Sequence, residues 1–194
     1  MDTEFYERLI LREMIENWAI WRDTANWKEF RSLWHDDGVM SATMFQGPVN
    51  DFIKQAQESH EKGIRAQHVL GGSSINVVHN RATAQTRATI GQRAKIHNVI
   101  CDVICTIQFV DLFEKRDEKW GLVFRQGVYE KDRLDPVDTS KTVILDKNIL
   151  AKFPEGYCHL AYLQTNAGLD VKTDMPGSSG PEFEALISKM KNWI

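Results

Sequence analysis

The chain changes texture once, near Arg65, and that change limits the folds open to it. Up to residue 62 apolar residues recur at helical spacing. From Arg65 to Asp132 the sequence breaks instead into three or four runs rich in Val, Ile, Thr and Phe. In the first stretch Tyr6, Leu9, Ile10, Met14, Trp18 and Trp21 mark one face of a helix from about Phe5 to Asp23. Thr24 or Asn26 then caps a short helix through Trp34, which His35-Asp36-Asp37-Gly38 ends in a turn. Val39–Phe45 reads as a strand, and Gly47-Pro48 opens a third helix to about Lys62. The later runs are separated at His79-Asn80, over Gly91–Asn98 and at the charged hairpin Arg116–Lys119. Helices followed by a long antiparallel meander give an α+β fold, with helices on one face of a highly curved sheet.

With 194 residues the chain holds one full core. The expected division is a domain over residues 1–138 and a C-terminal helical extension over 139–194, packing on that domain or on a neighbouring subunit. In the extension, Pro154 and Gly168 bracket a helix-like segment and Pro181 opens a last helix.

Composition excludes several classes. A net charge of -3, with no Lys/Arg run longer than two, leaves no electrostatic footprint for nucleic acid. Apolar stretches are too short to span a bilayer, so no membrane partner is expected. Met1-Asp2-Thr3-Glu4 does not read as a secretory signal, and three cysteines are an odd count, so the expected location is a reducing cytoplasm. On one strand Cys101 and Cys105 stand roughly 13 Å apart, beyond disulfide reach, and read as core. His35-Asp36-Asp37 reads as a polar helix end rather than a metal site, and neither a metal nor a cofactor is expected.

Two segments carry chemistry: Trp18-Ala-Ile-Trp-Arg-Asp-Thr-Ala-Asn-Trp27 and Arg65-Ala-Gln-His-Val-Leu-Gly-Gly72. The first ends a helix with an aspartate and the second opens a strand with a histidine. A carboxylate on one imidazole nitrogen fixes the tautomer and raises the basicity of the other.

Together with the element order, these segments resemble the SnoaL-like and scytalone dehydratase-like branch of the NTF2-like superfamily over roughly residues 5 to 135. The resemblance implies a bent sheet around a cone-shaped pocket, dimeric or trimeric homo-oligomers, and a small-molecule substrate handled without a cofactor. It also implies that Asp23 orients His68, which moves a proton, while Arg125 on the last strand stabilises an anion. Arg22, Trp18, Trp27, Phe45, Gln85, Phe109 and Tyr129 are the expected substrate-binding residues. The second histidine of scytalone dehydratase falls here at Gln85 or Thr86. Its two tyrosines fall at Arg22 and the Ser41–Met44 region, and its later Ser and Asn at Ile107 and Phe109. The implied reading is a lyase on a small aromatic compound, by loss of water, halide or a carbonyl fragment such as formaldehyde. An isomerase or polyketide cyclase, and a non-catalytic binding or structural subunit, are the alternatives.

Overall fold

The computed structural model describes residues 3–194. Its sheet has six strands in the order β2-β1-β6-β5-β4-β3. Strands β3 (Gln67–Val78), β4 (Arg81–Ile96), β5 (Val99–Arg116) and β6 (Lys119–Pro136) form the antiparallel meander. Strand β1 (Trp34–Ala42) pairs parallel to β6 and antiparallel to the short β2 (Phe45–Pro48). The helices α1 (Thr3–Asp23), α2 (Trp27–Ser32) and α3 (Val49–Glu61) precede the meander.

The core follows strand alternation. Cys101, Val103, Cys105, Ile107 and Phe109 on β5 are all buried, in one cluster that also holds Leu11, Ile15, Trp18 and Ala19 of α1. Val110, on the opposite parity, belongs to a second cluster with Val128 and Leu186. That cluster sits under α6 (Pro181–Trp193), which covers part of the sheet's other face. Trp193 anchors the end of α6: its Nε1–H donates to the Phe113 carbonyl at 3.0 Å, and the Arg81 guanidinium stacks on its ring. In the extension, α4 (Lys147–Leu150) is followed by α5 (Cys158–Asn166), which lies against β5 and β6.

Two boundaries differ from the sequence reading. His35–Gly38 is no turn but lies inside β1, where the register with β6 shifts between Trp34 and Val39. Gly38 is there for close approach, since a Cβ would stand 2.8 Å from the Trp34 ring. The expected break over Gly91–Asn98 shrinks to His97-Asn98, both with positive φ; β4 runs through to Ile96. Cys101 and Cys105 are buried and unpaired, as expected of core residues. No described helix is long and apolar enough to cross a membrane.

Candidate active site

Asp23 is the last residue of α1, where a carboxylate meets the negative end of the helix dipole. Two donors from β3 compensate. Asp23 Oδ2 accepts the His68 backbone N–H at 2.6 Å, and Oδ1 pairs with His68 Nδ1 at 2.7 Å. Because an ionised carboxylate only accepts, Nδ1 carries the proton and Nε2 keeps its lone pair. Nε2 has no partner among the described residues. Trp18 meets the ring edge-on at 5.3 Å between centroids, and Phe109 stands 6.1 Å away. Three residues further on, Gly71-Gly72 form a bulge against β4 that bends the strand.

Burial pushes the His68 imidazole below its ordinary value, the Asp23 hydrogen bond opposes this, and Arg22 and Arg125 add to the lowering. The carboxylate raises the imidazole as expected, and desolvation outweighs it. The outcome is an imidazole that is neutral at neutral pH, the form a general base needs.

His68 lines a cavity of about 40 Å³ with Trp18, Arg22, Phe109 and Tyr129, all named from sequence. Asp23 stands behind His68. The other expected residues lie elsewhere. Trp27 packs on Phe30 and His60, and Phe45 packs on Phe52. Gln85 pairs with Ser74 and Val110 within the sheet, away from the lining.

Arg125 also lies off the lining, neither in the pocket nor in solvent. Its Nε and Nη2 donate to the Asp111 carboxylate at 2.6 and 2.7 Å, with both side chains fully buried. The guanidinium stacks on Trp18 and Phe109 at 4.3 and 4.5 Å. Asp111 therefore neutralises it, and Arg125 braces two rings of the cavity wall. The cation that does line the cavity is Arg22. Its one charged neighbour is Asp23, at 3.7 Å, and burial lowers its guanidinium from the ordinary value.

Sequence reasoning missed the polar wall. Thr43 donates its backbone N–H to the Tyr129 hydroxyl at 3.1 Å and its Oγ1–H to Gln164 Oε1 at 2.9 Å. Gln164 in turn donates to Gln92 at 3.4 Å. Thr43, Gln92 and Gln164 are all buried and all line the cavity. Gln164 comes from α5, so the C-terminal extension completes the site. The available signal was a single glutamine closing the run Leu160-Ala-Tyr-Leu163 of a helix too apolar to be exposed.

A larger open cleft, about 530 Å³, lies between α1 and the β5–β6 turn. Its carboxylate Glu7 is committed to Lys115 and Trp120, and no imidazole lines it.

The family model of the SnoaL-like domain matches residues 4–126, more than half of the chain. The chain belongs to the SnoaL-like family. Among SnoaL-like relatives, pea pathogenicity protein 2 of Fusarium vanettenii is 38% identical over 181 residues, covering 91% of this chain and 77% of that protein. A candidate scytalone dehydratase from Novosphingobium aromaticivorans superposes with a TM-score of 0.60 at 18% identity, covering 71% of this chain and 97% of that one. A hexachlorocyclohexane dehydrochlorinase superposes at 0.56 with 12% identity, covering 75% and 97%. At such identities the likeness shows the fold, which is NTF2-like. The family match stops at residue 126, short of Tyr129 and Gln164, both of which line the SnoaL-like cavity.

Proposed function

We propose that this SnoaL-like protein is a lyase acting on a small aromatic compound, with His68 as its general base. The observation that carries the reading is the Asp23 carboxylate, which holds the His68 Nδ1 and leaves Nε2 as the free nitrogen of a cavity-lining ring. Nε2 takes a proton from carbon, the C–H electrons become a C=C bond, and a halide departs with the electrons of its bond. A hydroxyl leaves as water once the imidazolium returns the proton. In the carbonyl-loss variant the proton comes from a hydroxyl, C=O forms as the C–C bond breaks, and the imidazolium protonates the carbon anion. Each route passes through developing negative charge, which Arg22 is placed to offset. The dyad supplies the proton transfer itself, so the proposed reaction calls on no cofactor. Trp18 and Phe109 suit a flat ring, while Thr43, Gln92 and Gln164 suit a hydroxyl or carbonyl on it.

The cavity volume favours a second reading. At about 40 Å³ it holds a few waters and falls far below the ~150 Å³ that accommodates benzene. A lyase requires the cavity to widen to admit its substrate; a binding or structural module does not. Incubation with hydroxylated, hydroxymethylated and halogenated aryl compounds, with product analysis by mass spectrometry, separates the readings. Turnover is expected with an eliminated fragment, falling roughly 10²- to 10⁴-fold in His68→Ala and less in Arg22→Gln. Turnover unchanged in His68→Ala ends the mechanism. Conversion without an eliminated fragment points to an isomerase or cyclase.

A further inference from the structure

We infer that Asp132, Cys158 and His159 form a binding site for one zinc-class transition-metal ion, away from the cavity and independent of the proposed reaction. Asp132 lies on β6, and Cys158 and His159 are the first two residues of α5. His159 Nδ1 stands 2.8 Å from Asp132 Oδ1, Cys158 Sγ stands 3.5 Å from that same nitrogen, and Sγ stands 3.9 Å from that same oxygen. All three donor atoms lie within 4.8 Å of one another.

This convergence separates metal binding from nucleophilic catalysis. A Cys-His-Asp catalytic unit needs the thiol and the carboxylate on opposite imidazole nitrogens, so that one orients while the other exchanges a proton. Here both approach Nδ1, leaving the three donors around one point. Tetrahedral zinc, with ordinary Zn–S, Zn–N and Zn–O bonds, sets sulfur roughly 3.6 Å from each lighter donor and nitrogen roughly 3.4 Å from oxygen. The sulfur distances already agree to within about 0.3 Å. The imidazole–carboxylate contact, a hydrogen bond in the metal-free protein, opens by about half an ångström.

Charge and surroundings favour the same ligand. The Asp132 side chain is fully buried, and His159 is its one ion-pair partner among the described residues. Its second oxygen accepts the Leu160 backbone N–H at 2.7 Å, which fixes the carboxylate's orientation as an outer partner does in metal sites. A thiolate and a carboxylate cancel the charge of a divalent ion, so the N-terminus of α5 meets a neutral group rather than a cation. The His159 side chain is 31% exposed, which gives an ion a way in. Thiolate, imidazole and carboxylate together suit zinc, with the fourth position open. The site also gives the ion a role, since α5 carries Gln164 into the cavity wall and a metal at its first turn fastens it to β6.

Cobalt(II) titration of the reduced, chelator-treated full chain tests this. The expected result is one bound equivalent, with a thiolate-to-cobalt band in the near ultraviolet and tetrahedral visible bands, both displaced by zinc. Cys158→Ser is expected to abolish the thiolate band, whereas Cys101→Ser and Cys105→Ser keep it. His159→Gln retains the band and weakens binding at least about tenfold. A wild-type protein without a thiolate band overturns the inference, and so does a band that survives Cys158→Ser. His68→Ala enters as a control with the wild-type cobalt spectrum, so failure of the metal site and failure of the proposed reaction read out separately.

Discussion

Asp23–His68 and Asp132–His159 are nearly the same arrangement placed in two settings. In each, one carboxylate oxygen accepts a backbone N–H and the other meets an imidazole Nδ1, at 2.7 and 2.8 Å. The first histidine is packed against aromatic rings beside a small cavity, while the second is partly exposed with a thiol on the same nitrogen. The pair alone therefore does not define a base. What distinguishes them is what surrounds the rest of the ring: a cavity lined by buried side chains suits proton transfer, and a converging third donor suits an ion. Asp111–Arg125 marks a further extreme, a carboxylate whose partner is permanently charged and fully buried.

That contrast can be broken at three points. The largest expected effect is at the structural extreme. Arg125→Leu leaves the Asp111 carboxylate buried and unpaired, costing about 3–5 kcal/mol by urea unfolding, with much of it recovered in the Arg125→Leu/Asp111→Leu double variant. If the single variant keeps wild-type stability, the bracing role assigned to this pair is wrong. Next in size is Asp23→Asn, which loses roughly 10²-fold in turnover. Its pH profile carries the sign. Burial lowers His68 and Asp23 opposes, so removing the carboxylate lets burial win further, and the acid limb of the rate profile moves to lower pH. An acid limb that stays put or moves up contradicts the dyad. The smallest effect belongs to Asp132→Asn, which costs about 1–2 kcal/mol in thermal unfolding through its charged hydrogen bonds, without moving that acid limb.

The fold was largely legible because its periods are strong. The helix α1 and the charged hairpin at Arg116–Lys119 fall where they were read, although the buried face of α1 is carried by Leu11, Ile15 and Trp18 while Tyr6 and Leu9 of the expected face are exposed. The errors came where polar residues sit in regular structure. In β4, Gln92 is buried and Arg93 exposed, an alternation hidden because both are polar; in β1, Gly38 serves packing against Trp34 rather than a turn. The dyad was legible through resemblance, since nothing local joins residue 23 to residue 68. The pairing of Arg125 was not legible because its partner Asp111 is fourteen residues away in sequence and opposite it in register on β5. The polar wall escaped for a related reason: Thr43, Gln92 and Gln164 meet only in three dimensions.

Thr43 commits each of its polar groups to a different segment. Its N–H goes to Tyr129 on β6, its hydroxyl to Gln164 on α5, and its carbonyl accepts the N–H of Lys172 in the loop beyond. A single threonine thus acts as a latch with three bolts. The turn between β1 and β2 is thereby tied at one residue to β6, to α5 and to the loop that follows α5, three segments distant in sequence.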